Sequence, residues 1–322
     1  MIMKKKYPID EHLKLALNGT TLDFRIRGTS EQNPVLLCLH GGPGSCDRLV
    51  VLEDRAPLAD ICTIVCFDQR GSGKSYSREQ ADKHMDMETV IRDAIAAIEY
   101  LLARYHQEKL YLVGHSYGSF LGVNVCQRIP DKIAAYIGLG QLANGPENER
   151  ISYEFVWDEA QKRGEKKAIK ELTRIGAPVN GMYRSIQDLS VQRNLMNRYG
   201  GAIYGKKGNI FTSMVLPALL TPEYSLIDMI GYVKGIYYNL GELWEEVIAC
   251  DFIRTIPKLD VPVFITQGRY DRNTPPEIAK AWFDGLQAPQ KEWIWFEKSA
   301  HSPAHEEKEK WNEVLRTRVF EK

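Results

Sequence analysis

Two kinds of apolar pattern alternate along the chain. Short runs without polar alternation, such as Leu36-Leu37-Cys38-Leu39, Thr63-Ile64-Val65-Cys66-Phe67, Leu110-Tyr111-Leu112-Val113, Val263-Phe264-Ile265 and Trp293-Ile294-Trp295-Phe296, read as strands buried on both faces. Between them lie helical periods. From Glu88 to Tyr105 the apolar positions Val90, Ile91, Ala94, Ile95, Ile98, Leu101 and Leu102 form one stripe, which predicts an amphipathic helix covering a sheet face. Ahead of this region His12 to Gly19 and Thr20 to Thr29 read as a hairpin turning at Asn18-Gly19. Strands alternating with helices predict an α/β fold built on a mostly parallel sheet flanked by helices.

The pattern changes after Ile137-Gly138-Leu139-Gly140. From Gln141 to Cys250 no run reads as a buried strand; Ser152 to Lys162 and Lys166 to Arg174 are helix-like, and loops such as Gly176 to Gly181 and Tyr199-Gly200-Gly201 separate the segments. The division expected is a core over residues 1–140, a helical cap over 141–250 and the rest of the core over 251–322. Cap aromatics are numerous, among them Tyr153, Phe155, Trp157, Tyr183, Tyr204, Phe211, Tyr224, Tyr232, Tyr237, Tyr238 and Trp244. Most are expected to form the cap's own core and some to line an apolar pocket.

Composition narrows the partners. Lys plus Arg and Asp plus Glu are 42 each in 322 residues, so no net attraction to nucleic acid or to an anionic membrane is expected. The start, Met3-Lys4-Lys5-Lys6-Tyr7-Pro8, is basic but runs into Asp10-Glu11 without an apolar stretch, unlike a signal peptide. No run approaches the length of a spanning helix. Cys38, Cys62 and Cys66 sit in strand-like runs and Cys126 in a helix, the usage of reduced cysteines acting as small hydrophobes, so a cytoplasmic protein is expected. The spacing of Cys62 and Cys66 has no second pair to complete a zinc set, and neither metal nor cofactor is expected.

The chemistry is carried by Gly114-His115-Ser116-Tyr117-Gly118, directly after the run ending at Val113. A serine in Gly-x-Ser-x-Gly between strand and helix stands on a strained turn, and a Cβ at either glycine would crowd it. Ser116 is thus expected to stand exposed above the sheet edge. By itself a five-residue pattern is more often an ordinary turn. Four other segments keep it company. His40-Gly41-Gly42-Pro43-Gly44 follows a buried strand and is placed to offer the Gly42 amide, with that of Tyr117, to a developing oxyanion. Asp68-Gln69-Arg70-Gly71-Ser72-Gly73-Lys74-Ser75 follows another; its ending imitates a phosphate-binding loop, but Asp68 stands where that loop needs a glycine. Asp68 and Arg70 are read instead as tying down the loop beside the site. Gly268-Arg269-Tyr270-Asp271 and Ser299-Ala300-His301 end two late strands and complete the chain order Ser, Asp, His. A hydroxyl needs a base to become a nucleophile, which selects His301, and Asp271 would orient it. His305, in the charged stretch that follows, is the competing base and is expected to face water. His40 and His115 are expected to support the oxyanion loop and the elbow, and His12, His84 and His106 to be surface or packing residues.

With these motifs the chain resembles the α/β-hydrolase superfamily and, within it, the proline iminopeptidase-like group, marked by His-Gly-Gly-Pro-Gly at 40–44 and Asp-Gln-Arg-Gly-x-Gly-x-Ser at 68–75. The resemblance implies a mostly parallel eight-stranded sheet with an inserted helical cap, and Ser116, Asp271 and His301 as nucleophile, acid and base of an acyl-enzyme mechanism. It implies a short-peptide or other small-molecule substrate, from which N-terminal residues are released. The group usually carries tryptophan after the nucleophile, where this chain has Tyr117, and cap carboxylates that hold the substrate amine. Candidates for these are Glu147, Glu149, Glu154, Glu242, Glu245 and Glu246, each expected to be solvated unless recruited. A hydrolase of small esters or amides with no amine requirement, and a ligand-binding protein without activity, are the alternatives.

Overall fold

The computed structural model describes residues 7–81, 83–205 and 223–321. Phe211 and the basic start Met3 to Lys6 lie outside them. Eight strands form one sheet in the order β1-β2-β4-β3-β5-β6-β7-β8. They are β1 Ile9–Leu17, β2 Thr20–Gly28, β3 Val35–Leu39, β4 Thr63–Asp68, β5 Leu110–His115, β6 Ile133–Leu139, β7 Val263–Gly268 and β8 Lys291–Phe296. The first two pair as the expected hairpin, with Asn18 and Gly19 at φ 47° and 74°, the left-handed pair a two-residue turn requires. β2 joins β4 antiparallel and every later pairing is parallel. The runs at β3, β4 and β7 are buried at every residue, whereas Trp293 to Phe296 in β8, an edge strand of the sheet, alternate between half-buried and buried, so that run is not buried on both faces. Cys62 falls just before β4 rather than within it.

In chain order the helices among the described residues are α1 Arg48–Asp54, α2 Arg78–Ala81, α3 Met87–Tyr105, α4 Tyr117–Arg128, α5 Gly145–Lys162, α6 Lys166–Ile175, α7 Ile186–Arg198, α8 Leu226–Ile248, α9 Phe252–Thr255, α10 Pro276–Gly285, α11 Pro303–Glu306 and α12 Lys308–Val314. The apolar stripe of α3 packs under the sheet together with α4 and α10, while α1 and α12 cover the other face. α5 to α8 leave the sheet after β6 and return before β7. Their two ends are zipped side by side: Gly145 N–H donates to Cys250 O (2.9 Å) and Phe252 N–H to Ala143 O (2.7 Å). α5 to α7 enclose a separate core of Val156, Leu172, Tyr183, Met196 and Tyr199, whereas Tyr232 of α8 and Tyr224 just before it pack against Cys46 of the main body. Not every aromatic of this insertion is internal, since Tyr204 and Tyr237 are exposed. Among the described residues no helix is long and apolar enough to cross a membrane.

Candidate active site

The parallel strands all end at one edge of the sheet, and the expected residues gather there. β5 stops at His115, Ser116 takes φ 55° and ψ −120°, and α4 begins at Tyr117. A non-glycine residue in that conformation is strained and must be held by its surroundings. The glycines allow it: a Cβ on Gly114 would lie 2.4 Å from Gly118 O, and one on Gly118 would lie 2.2 Å from Leu39 O. Backbone oxygens cannot give way, so strand, turn and helix approach this closely only without those side chains. Ser116 is half-buried rather than fully exposed, because the His40 to Gly44 loop leans over it. A Cβ on Gly41 would lie 3.2 Å from Ser116 Cβ.

Gly42, at φ 123°, turns the loop so tightly that a side chain would meet the amides of Gly44 and Ser45. Neither Gly42 N–H nor Tyr117 N–H donates to a backbone acceptor among the described residues. The Tyr117 amide opens α4, where helix geometry provides no partner and the dipole is positive. His40 is the loop's internal strut. Its Nδ1–H donates to Gly41 O (2.9 Å) and its Nε2 accepts from Gln69 N–H (3.0 Å), so it is the neutral tautomer. Burial lowers its pKa in the same sense.

Asp271 and His301 meet as expected from chain order. His301 Nδ1 lies 2.9 Å from Asp271 Oδ2, both residues being buried. A proton on Nδ1 toward that carboxylate leaves Nε2 free to accept one. Asp271 is saturated: Oδ1 accepts the backbone N–H groups of Asn273 and Thr274 (2.8 and 2.9 Å), and Oδ2 also accepts from Thr274 Oγ1 (2.7 Å) and Gln267 Nε2 (2.9 Å). Ser116 and His301 converge through the end of β6. Ser116 N–H donates to Leu139 O (2.9 Å), and a Cβ on the next residue, Gly140, would stand 3.0 Å from His301 Nδ1. The Ser116 hydroxyl itself has no hydrogen-bond partner among the described residues; in unliganded sites such contacts are often long and tighten with substrate.

The His115 ring packs at a tilt against that of His301, with centroids 5.0 Å apart, and contacts the His301 carbonyl through Nε2 (3.0 Å). Its Nδ1 is 3.6 Å from Asp47 Oδ2. Desolvation alone would raise the Asp47 carboxyl, but the nearby His115, with a smaller contribution from Arg55, outweighs it and holds the group below its ordinary value. His305 does not simply face water: its Nδ1 binds Asp54 Oδ2 at 2.6 Å, turned to α1 and away from Ser116.

The phosphate-loop imitation is filled from within. Asp68 Oδ2 accepts Lys74 N–H (2.8 Å), and Ser75 Oγ donates to Asp68 O (2.6 Å), so a carboxylate occupies the turn and repels an anion. Arg70 grips Asp93 of α3 with two hydrogen bonds (2.6 and 2.7 Å) and Asn18 O with a third (2.8 Å). Sequence reasoning missed Arg48, buried between Asp23 and Asp68, and it missed Gln267 and Thr274. It offered six glutamates as candidates for amine recognition without singling one out. Glu149 is buried at 2% exposure, paired with Arg193, and its Oε2 has no partner among the described residues. Its signal is weak on paper, because the surrounding Pro146 to Arg150 stretch is polar throughout. Among the described residues no three His, Cys, Asp or Glu side chains are gathered as for a metal ion.

A family model described as alpha/beta hydrolase fold matches residues 34–177. The chain is 32% identical to the probable aminopeptidase YbaC of Bacillus subtilis (strain 168) over 295 residues, 91% of each protein. It is 26% identical to the proline iminopeptidase of Lactobacillus delbrueckii subsp. lactis over 294 residues, 90% of this chain and 92% of that one. The crystal structure of proline iminopeptidase from Mycobacterium smegmatis superposes with a TM-score of 0.60 at 15% identity, covering 95% of this chain and 96% of the other, a likeness of fold. Sheet order, the Ser116 elbow and a relative matched over nearly its whole length agree: the chain belongs to the α/β-hydrolase family, within its proline iminopeptidase-like group, and is an enzyme of the serine-hydrolase type.

Proposed function

We propose that the protein is an aminopeptidase that releases N-terminal residues from short peptides through an acyl-enzyme on Ser116. His301 Nε2 takes the hydroxyl proton as Ser116 attacks the carbonyl, and Asp271 stabilises the imidazolium. The Gly42 and Tyr117 amides receive the oxyanion, a contribution of about 3 kcal/mol each in a dry site. His301 returns the proton to the leaving amine, and water then repeats the sequence to free the acyl group. His40 and Gly41 shape the oxyanion loop, His115 braces His301, and Asp68 and Arg70 hold the adjoining loop. Residues 141–250 form the cap over this edge.

The aminopeptidase reading is carried by Glu149, the one buried carboxylate among the six candidates, with an acceptor oxygen unfilled. Its neighbour Asn148 reaches the loop of the acid, Nδ2 lying 3.5 Å from Asn273 O. In this reading the substrate's ammonium group binds Glu149 Oε2, and the names of the relatives point the same way. A second reading rests on the same side chain: Arg193 already neutralises Glu149, and the enzyme would then cleave small esters or amides without regard to a free amine.

One assay separates them. Prolyl-p-nitroanilide, its N-acetyl derivative and p-nitrophenyl acetate are given to the wild type, Ser116→Ala and Glu149→Gln. The aminopeptidase reading expects Ser116→Ala to lose several orders of magnitude on every substrate. It expects acetylation to abolish anilide turnover and Glu149→Gln to lower kcat/KM for the free-amine anilide about 10- to 100-fold, a charged hydrogen bond's worth, while sparing the ester. Equal turnover of free and acetylated anilides leaves the second reading.

A further inference from the structure

Gln267 is an unusual residue for its place. It lies next to the end of the fully buried β7, where aliphatic side chains are expected, and has no exposed surface. A buried amide costs free energy unless every polar atom is engaged, and here each is. Nε2 donates one hydrogen to Asp271 Oδ2 (2.9 Å) and the other to Thr274 O (3.0 Å), while Oε1 accepts from Gln141 N–H (3.0 Å). Those partners fix the amide's orientation, since an N–H on one side and two acceptors on the other permit no flip.

The bonds continue beyond Gln141. Its Oε1 accepts from the Tyr136 hydroxyl (2.7 Å) and its Nε2 donates to Leu142 O (2.6 Å). Leu142 N–H donates to Ser119 Oγ (2.9 Å), which donates in turn to Ser116 O (2.5 Å). A chain of hydrogen bonds, buried except at its Ser116 end, thus runs from the carbonyl of Ser116 to the carboxylate of Asp271, through the first residues of the insertion. Gly138 makes room for it: a Cβ there would lie 2.4 Å from Gln141 Oε1.

We propose that Gln267 is a positioning residue, which sets the face that Asp271 presents to His301 and keeps the acid in register with the Ser116 elbow. This rests on the roles proposed above for Ser116, His301 and Asp271. Without the Nε2 donor, Oδ2 retains only Thr274 and His301, its negative charge is less shared, and its pull on the His301 proton grows. An imidazole so stabilised in its protonated form is a base only at higher pH. Gln267→Glu probes the same contact differently. A protonated carboxyl keeps a donor for Asp271 and an acceptor for Gln141. An ionised one faces Asp271 within hydrogen-bonding distance, where two carboxylates do not both remain charged.

The readout is the rate at which a fluorophosphonate labels the protein, followed by mass spectrometry across pH for wild type, Gln267→Met, Gln267→Glu and Ser116→Ala. Labelling measures the activated serine and requires no knowledge of the substrate. Gln267→Met is expected to react about tenfold or more slowly at neutral pH, the loss typical of one hydrogen bond to a charged group, with its acid limb displaced upward. Gln267→Glu is expected to approach wild-type rates in acid and to fall away as the pH rises, where the wild type speeds up. Profiles of both variants that parallel the wild type, whatever their thermal stability, overturn the proposal. If Gln267→Met does not fold, the near-isosteric Gln267→Glu profile decides alone. Undiminished labelling of Ser116→Ala is a different failure, that of the nucleophile assignment itself.

Discussion

His40 shows how much a single side chain in this site depends on its charge state. Buried at 2% exposure, it accepts the Gln69 amide on Nε2, a contact available only to the unprotonated nitrogen. Burial holds its pKa below the ordinary value. In the unfolded chain the imidazole recovers a value of about 6.5, so in acid the unfolded state binds a proton that the folded state refuses. The stability this group contributes is therefore complete above about pH 6.5 and is lost progressively as the pH falls toward the lowered folded value. The thermal midpoint should drop between about pH 7.5 and about pH 5, and His40→Gln, uncharged throughout, should show a shallower drop from a lower starting point. Parallel slopes for the two proteins would sink the argument. At this scale the glycines of the elbow were legible in the sequence, because a glycine two residues either side of a serine states a steric requirement. Gln267 was not, since nothing local distinguishes a glutamine near a strand end from a solvated one. Its partners are 4 and 126 residues away.

Among the elements, the segment from Asp68 to Ser75 does the most to join distant parts of the chain. Asp68 accepts Arg48 Nε (2.8 Å) from α1 and the Tyr224 hydroxyl (3.0 Å) from the approach to α8. Arg48 crosses to Asp23 of β2 as well, with Nη1 2.6 Å from Oδ1. Desolvation would lower the Arg48 pKa, but the carboxylates of Asp68 and Asp23 raise it, so one buried cation stands between two buried carboxylates. The unequal numbers predict unequal costs. Arg48→Met abandons both carboxylates and should cost about 3–5 kcal/mol, as breaking buried ion pairs does. Tyr224→Phe removes one donor from a carboxylate that keeps others and should cost about 1 kcal/mol. Urea unfolding at neutral pH ranks them, and equal losses would mean that the arginine is not the organising charge. Reading the sequence identified Asp68 and Arg70 as loop anchors because they lie inside the motif. Arg48 lies twenty residues from Asp68 in a stretch with no motif, and its burial exists only once β2, β4 and α1 are assembled.

Across the whole molecule, the insertion is bound to the residues that flank the proposed acid and base, not merely set above them. Arg272 N–H donates to Gly201 O (2.8 Å) and His301 N–H to Ala202 O (3.1 Å), so two consecutive carbonyls of the insertion hold the backbone beside Asp271 and at His301. Tyr204 stacks on Tyr270 at 4.6 Å and donates its amide to Glu306 (2.6 Å), extending the same strap. The loss of strand patterns from Gln141 to Cys250 is a local signal, and an inserted cap is expected there on that ground. The strap could not be read that way, because it consists of backbone carbonyls, which every sequence has. Its consequence is that displacing Gly201 should misplace the acid and base before it unfolds the protein. A side chain at Gly201 would meet Arg272 Cβ at 2.8 Å and Phe155 at 2.9 Å. A shift of about 1 Å at reacting groups costs on the order of a hundredfold in rate. Gly201→Val is therefore expected to lose ten- to a hundredfold in kcat on p-nitrophenyl acetate, while its thermal midpoint falls by only a few degrees, as for a local overpacking of about 1 kcal/mol. Measuring both on one preparation is essential to the argument. If activity falls only in proportion to the fraction unfolded, the strap is ordinary packing; if it collapses in a protein that remains folded, the insertion is part of the catalytic machinery.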